Sequence, residues 1–155
     1  MTIHRLSPKN QVVIPREARV FAAVSPAIEH LRAKRHVVRK AAGAEEFPAV
    51  LLMSEAELQA REQRILADPA LDDDQKFAYV TRINDEMKML AIDSQNRVVL
   101  PAECVAHLGV GASREVKFVC TNTVIQIWHP EHYARYAGTA ATPAYDAVLT
   151  KYLSL

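Results

Sequence analysis

The chain has 155 residues, half of them apolar, and a formal net charge of +1. This length suits one compact domain or two small intertwined ones, and the apolar content is sufficient for a core. We find no signal peptide, because Arg5, Lys9 and Arg16 interrupt any early apolar run. No segment reaches the roughly 18 apolar residues that a bilayer span requires, which predicts a cytoplasmic protein without a membrane partner.

The charges are unevenly distributed along the chain. Residues 1–40 contain nine Lys/Arg and two Asp/Glu, whereas residues 41–86 contain four and eleven. This asymmetry indicates either a basic face that meets an anionic partner or oppositely charged faces that pair between neighbouring subunits. Charge alone does not choose between these two interpretations.

The first predicted elements belong to a phrase that the chain carries twice. "IHRLSPKNQVVIP" at residues 3–15 aligns without a gap with "MLAIDSQNRVVLP" at residues 89–101. Each copy predicts a short strand, a polar turn and a β-branched second strand. Asn10 and Asn96 end the turns. Asparagine suits a turn position with positive φ, because it tolerates that backbone conformation better than other non-glycine residues. The proline that closes each copy suits the first turn of a helix.

The remaining elements follow in the same order in both halves. In the first half, strands "KRHVVRK" and "FPAVLLM" flank an "AAGAEE" turn, and Ser54 and Glu57 have the form of a capping box. Two helices are predicted next, broken at Asp68-Pro69, and the second has an amphipathic pattern. In the second half, "EVKFVC" and "TVIQIW" predict a hairpin. A helix then begins at Pro130, and a tail follows that is either loose or docked on a neighbour.

A strand-turn-strand unit of this size cannot bury its own apolar face, but two copies can cover each other. We therefore predict an α+β fold with two β-rich repeats in one pseudo-symmetric core and connecting helices. The predicted organisation is repeat 1 at residues 2–56, a helical connection at 57–86, repeat 2 at 87–132 and a C-terminal helix or tail at 133–155.

The repeated phrase resembles a known family. "LSPKNQVVIPREAR" is similar to the start of AbrB-type DNA-binding domains, which share a swapped-hairpin fold. "IDSQNRVVLP" and "IQIWHPEHYARY" resemble the second half of MraZ proteins, and "LLMSEAELQAREQRI" resembles their middle, so the resemblance covers about residues 2–137. It implies tandem SpoVT/AbrB-like repeats in a transcriptional regulator of the bacterial division and cell-wall gene cluster. The implied partners are double-stranded DNA, bound as repeated boxes at the nucleoid, and further copies of the chain in a ring; no cofactor is implied.

The family motif is Asp-x-x-x-Arg, usually with glycine before the arginine. The second half keeps it as Asp93 and Arg97, with Asn96 in the glycine place. The corresponding residues of the first half are Ser7, Gln11 and Asn10. The chain therefore resembles an MraZ protein that has diverged in its first repeat.

The candidate DNA-reading residues lie on these turns. Arg97 has a planar fork that can bind guanine O6 and N7 together, and Asp93 can hold that fork in place. Gln11 can instead pair with adenine N6 and N7. The alternatives are that the Asp93–Arg97 pair is a structural ion pair and that Gln11 is a solvated turn residue.

Further basic residues can contact phosphates, which gives affinity and register but no sequence information. Arg5, Lys9 and Arg16 surround the first turn. The basic run at residues 30–40 is either a second DNA patch or, more commonly for charge runs, a solvated strand and loop.

The hypotheses of an enzymatic activity and of a metal site have little support in the sequence. His129 and His132 lack a third ligand of suitable type and spacing, and no phosphate-binding glycine loop occurs. We therefore predict no catalytic residue, no metal, no cofactor and no small-molecule substrate. The alternative to a DNA-binding regulator is an AbrB-like protein-interaction or scaffold module without specific DNA binding.

Overall fold

The computed structural model describes residues 3–21, 30–39, 45–140 and 142–155. Within these ranges the strands are β1 (Ile3–Arg5), β2 (Gln11–Val13), β3 (His30–Arg39), β4 (Glu46–Met53), β5 (Lys88–Ala91), β6 (Arg97–Val99), β7 (Glu115–Cys120) and β8 (Ile125–Trp128). The helices are α1 (Arg16–Phe21), α2 (Glu55–Leu66), α3 (Asp73–Glu86), α4 (Ala102–Leu108), α5 (Pro130–Ala140) and α6 (Pro143–Leu153). The predicted mixture of helices and strands is confirmed; residues 41–44 of the predicted "AAGAEE" turn lie outside the described residues.

Strands from the two halves of the chain are interleaved in both sheets. In the described part of the chain one sheet has the order β1-β7-β8-β4-β3-β5, and β2 pairs with β6 in a separate two-stranded ribbon. All of these pairings are antiparallel. The first strand of each repeated phrase therefore pairs with the hairpin of the other half, and the second strands pair with each other.

The core lies between the large sheet and the repeated phrases. Its main cluster contains apolar side chains from both halves, among them Ile14 and Leu100, which follow β2 and β6. A second cluster joins Phe47 on β4 to Trp128 on β8 and is covered by two tyrosines of α5. Because both clusters need residues from both halves, neither half can complete its core alone.

The starts of α2 and α3 are fixed by side-chain caps. Ser54 Oγ accepts from the Glu57 N–H at 3.1 Å at the start of α2, but the Glu57 carboxylate pairs with Arg61 at 2.9 Å. The capping box predicted at Ser54 is therefore formed on one side only. A reciprocal box, missed by sequence reasoning, starts α3, where Asp72 and Gln75 bond each other's backbone N–H groups.

The basic side chains of β3 meet acidic side chains of the connecting helices. Arg32 Nη1 lies 3.3 Å from Glu55 Oε1, and Lys34 Nζ lies 3.1 Å from Glu86 Oε2. Part of the opposed charge of residues 1–40 and 41–86 is thus paired within one chain, which neither sequence interpretation anticipated. Arg32 is consequently held within the fold, with 10% of its side chain exposed, and Lys34 is paired with a carboxylate of the same chain.

The helices α3 and α6 present apolar side chains to solvent. On α3 the predicted amphipathic face packs only at its end, through Ile83 and the adjoining Met87, while Phe77 remains 76% exposed. The predicted tail forms α6, in which Tyr152 and Leu153 are both exposed. None of the helices in the described residues has the length and apolar character that a bilayer crossing requires.

Candidate nucleic-acid interface

The two polar turns adopt the backbone geometry expected from their asparagines. Asn10 has φ 64° and Asn96 has φ 59°. This left-handed region is uncommon for residues with a Cβ, and asparagine is among those that enter it most readily. Each asparagine carbonyl also accepts a backbone N–H from the opposite half: Asn96 from Ile14 at 2.8 Å and Asn10 from Leu100 at 2.9 Å. The turns therefore both reverse the chain and join the halves.

We expect Asn96→Val to lower the free energy of unfolding by about 1–3 kcal/mol, because a β-branched residue strains at positive φ. Asn96→Gly should stay close to the parent, since glycine enters this region without a steric penalty. Thermal melts of the two variants test this expectation. A valine variant as stable as the parent would contradict the turn geometry.

Ser7 replaces an aspartate in the first turn yet keeps its hydrogen bonds. Ser7 Oγ accepts from the backbone N–H groups of Lys9 at 3.2 Å and Gln11 at 3.0 Å. In the second turn, Asp93 Oδ1 accepts from the corresponding groups of Gln95 and Arg97, both at 2.9 Å. The divergence of the first repeat thus changes the side chains that a partner would meet and leaves the turn itself intact.

Asp93 and Arg97 form an ion pair on the second turn. Arg97 Nε lies 2.8 Å from Asp93 Oδ2. The pKa of the Asp93 carboxyl is lowered, chiefly by the backbone N–H of Arg97 and further by its guanidinium. Because Nε is the nitrogen that binds Asp93, the terminal amino groups of Arg97 are left for another acceptor. The pair orients the guanidinium and uses only its Nε donor.

Arg114 supplies a guanidinium to the first turn, which has no Asp–Arg pair of its own. Its Nη2 donates to the Ser7 carbonyl oxygen at 2.6 Å and also to Asn10 Oδ1. Arg114 itself has φ 57°. Sequence reasoning missed this residue, because the contact joins positions 107 apart and follows no local spacing. Arg114 supports the turn from the second half of the chain.

The β2–β6 ribbon has one buried and one exposed face. Its register pairs Gln11 with Val99, Val12 with Val98 and Val13 with Arg97. Val12 and Val98 are buried in the core, whereas Val13 and Val99 are 43% and 52% exposed. Successive side chains of a strand point to opposite faces. Gln11, Val13, Arg97 and Val99 therefore share the exposed side, which we call the ribbon face.

The four side chains of the ribbon face are closely spaced. Backbone bonds at both ends of the ribbon join Ile14 to Asn96 and Leu100 to Asn10. Hydrogen-bonded and non-hydrogen-bonded pairs alternate along antiparallel strands. Gln11–Val99 and Val13–Arg97 are therefore the non-hydrogen-bonded pairs, whose Cα atoms lie about 4.5 Å apart.

The predicted DNA-binding residues lie around this face to different extents. Gln11, Arg97 and Arg5 line one shallow groove of about 410 Å³. Lys9 is exposed in the first turn, and Arg16 is exposed at the start of α1, after the end of β2 that meets the second turn; neither lines that groove. The structure thus brings the two candidate base readers together with one basic residue, and places two more basic residues at the periphery.

Arg5 is only weakly engaged by the protein. Its Nη2 lies 3.9 Å from Glu115 Oε1, and 72% of the Arg5 side chain is exposed. Surface pairs of this kind contribute little energy. Arg5 can therefore turn to another anion at small cost.

The histidines considered as metal ligands lie elsewhere, at the start of α5. The rings of His129 and His132 stack with centroids 4.3 Å apart, and His129 Nδ1 accepts from the Glu131 N–H at 3.0 Å. Burial and the neighbouring His129 lower the pKa of His132. Among the described residues, no group of three or more His, Cys, Asp or Glu is arranged to hold a metal ion.

Comparison with known proteins relates the chain to one group of regulators. No family model matches the chain. Over 77 residues it is 31% identical to the transcriptional regulator MraZ of Rickettsia canadensis (strain McKiel) and to that of Rickettsia bellii (strain OSU 85-389). It is 29% identical to that of Rickettsia felis over the same length. Each match covers 50% of this chain and 50% of the relative, so the chain spans about half the length of the curated relatives it matches. The predicted resemblance to MraZ proteins is confirmed as a similarity of about 30% identity over half of the chain, consistent with a divergent member of that family.

Proposed function

We propose that the chain is a sequence-specific, DNA-binding transcriptional regulator that reads double-stranded DNA with the ribbon face. The observation that carries this proposal is the shared exposure of Arg97 and Gln11 on one side of the β2–β6 ribbon. The major groove of B-DNA, about 12 Å wide, admits a two-stranded ribbon. A guanidinium held by Asp93 would be preorganised for guanine O6 and N7.

Basic residues lie at both ends of the ribbon. Arg5 and Lys9 lie on the first-turn side, and Arg16 follows the end of β2 that meets the second turn. All three would contact phosphates, which fix position on the duplex. On the second-turn side the charge of Arg97 is balanced by Asp93. We assign base reading to Arg97, with a preference for guanine, and to Gln11, with a preference for adenine.

The exchange of strands between the halves supports a wider interpretation of the fold. We propose that residues 2–56 and 87–132 are two swapped-hairpin, AbrB-like repeats, joined by helices at 57–86 and followed by a tail at 133–155. The supporting observation is that β1 pairs with β7 and β5 with β3, each across the halves. This arrangement would present two turns on one ribbon.

The similarity to MraZ proteins and the exposed apolar side chains of α3 and α6 support proposals about the DNA targets and the oligomeric state. From the resemblance we propose that the chain acts at the nucleoid, in the cytoplasm, on repeated DNA boxes of the division and cell-wall gene cluster. We also propose a ring-like homo-oligomer, supported by the exposed Phe77 on α3 and by Tyr152 and Leu153 on α6. Large apolar side chains exposed together commonly mark interaction sites.

We expect Arg97→Ala to cost about 1–3 kcal/mol of discrimination at one base position, the value of a bidentate contact. Lys9→Ala should instead weaken binding to all sequences alike and reduce the slope of log affinity against log salt by about one. Gln11→Arg should shift the preference in the first half toward guanine. These effects are measured by letting each variant select duplexes from a randomised library, with thermal melts as controls.

The opposite result would favour a different function. If Arg97→Ala remains folded and keeps both its affinity and its base preference, the Asp93–Arg97 pair is structural. The chain would then be better described as an AbrB-like interaction or scaffold module without specific DNA binding. In that case the exposed apolar side chains of α3 and α6 would be the principal binding surface.

A further inference from the structure

We propose that Val13 and Val99 contact the C5 methyl groups of thymine in the major groove, and so add apolar base selection to the polar readers. This inference rests on the proposed DNA-binding function and goes beyond it, because it assigns specificity to residues without a hydrogen-bonding group. Thymine is the base that presents a methyl group in the major groove, and apolar side chains are its usual partners.

The exposure of these valines runs against the pattern of the strand. Strands with one face on a core and one in water normally alternate apolar and polar residues. In β2 the buried Val12 is followed by the exposed Val13, and in β6 the buried Val98 is followed by the exposed Val99. Both copies of the phrase therefore present an apolar side chain at the same place on the ribbon face. A solvent-facing position in a ribbon of this kind calls for a polar β-former such as threonine.

The register sets each valine beside a polar reader. Val99 lies directly opposite Gln11, and Val13 lies directly opposite Arg97. The Cα separation in such non-hydrogen-bonded pairs, about 4.5 Å, is close to the spacing of about 3.4 Å between successive bases on one strand. Each valine is thus placed to meet the base next to the one that its partner binds. The expected site has a thymine beside the guanine and another beside the adenine.

The surroundings favour DNA over a protein partner. Two valines make a small apolar surface, whereas a specific protein interface buries at least about 1,000 Å² in total. The basic residues Arg5 and Lys9 are exposed at the first turn, and Arg16 is exposed beyond the other end of β2. A small apolar spot framed by hydrogen-bond donors and cations is complementary to a base edge flanked by phosphates.

Deoxyuridine provides a direct test, since it differs from thymidine only by the missing C5 methyl group. A duplex selected by the full chain from a randomised library would be resynthesised with uracil at one thymine at a time. We expect affinity to fall about four-fold at each of two thymines, the value of one methyl group taken out of water. Uracil at the other thymines should leave affinity unchanged.

Valine variants then locate the contact. Val13→Ala and Val99→Ala should each reduce the uracil effect at a different thymine and leave it unchanged at the other, as a double-mutant cycle requires. Thermal melts report folding. If an alanine variant is unfolded, threonine at the same position keeps the branched shape that the strand needs and loses part of the apolar contact.

The possible outcomes separate this inference from the function on which it rests. If the library yields specific duplexes but uracil is neutral at every thymine, the inference is wrong and the proposed function stands. Uracil effects that persist undiminished in both valine variants would also overturn it, as would a loss of self-association without any change in the uracil effects. If no specific duplex is selected, the proposed function fails and the inference with it.

Discussion

Trp128→Ala is expected to lower the free energy of unfolding by about 3–5 kcal/mol, the usual cost of removing a large aromatic side chain from a core. Trp128 is 1% exposed. Its ring stacks on Tyr136 at 5.1 Å and meets Tyr133 edge-on at 5.4 Å, and its Nε1 donates to Gln126 at 2.9 Å. Urea unfolding of the purified variant, compared with the parent, measures the effect.

The effect should reach both halves of the chain, because Trp128 on β8 pairs with Ala49 on β4. The matched control is Tyr145→Ala on α6, an aromatic residue that is half exposed. Exposed substitutions of this kind usually change stability by less than about 0.5 kcal/mol. Equal losses for the two variants would show that α6 is covered in solution and that burial in the single chain does not explain stability.

The turns could be predicted from the sequence because their physics is local. Asn10 and Asn96 enter the left-handed region on account of their own side chains, and Asp93 meets Arg97 across four residues. Ser7 could also have been recognised as a turn former, since its hydroxyl repeats the two backbone hydrogen bonds of Asp93.

The strand partners could not be predicted in the same way. The phrase predicts a strand, a turn and a second strand without naming their partners; in the structure β1 pairs with β7 and β2 with β6. Which strands meet is decided by burial of apolar side chains that are distant in sequence, and period-two patterns are the same for either choice. The support that Arg114 gives to the first turn depends on this long-range pairing.

The same limit applies to the ribbon face. The runs "QVVI" and "RVVL" read as continuous apolar strands, and nothing local distinguishes Val12 from Val13. Only the pairing of β2 with β6 places Val12 and Val98 in the core and leaves Val13 and Val99 exposed. The candidate polar readers were evident from residue type, whereas the candidate apolar readers required the register.

The basic run of β3 illustrates how packing divides residues that the sequence groups together. Arg32 donates to Glu55 at 3.3 Å, to Asn84 Oδ1 at 2.9 Å and to the Met87 carbonyl at 3.1 Å. Only 10% of its side chain is exposed. Arg39, on the same strand, pairs with Glu46, and its side chain is 72% exposed.

We therefore expect Arg32→Met to destabilise the fold by about 2–3 kcal/mol, because it removes the Arg32 donor from the Met87 carbonyl and from the Glu55 carboxylate, which keeps His30 as its other partner. This value is below that for a fully buried ion pair, since Glu55 is partly solvated. Arg39→Met, the matched control, should cost less than about 0.5 kcal/mol. Chemical denaturation measures both.

In DNA binding, both variants should match the parent once folded, because neither residue belongs to the ribbon face. A selective loss of DNA affinity in folded Arg32→Met would place Arg32 in the interface. It would contradict a purely structural role for Arg32 in joining β3 to the connecting helices.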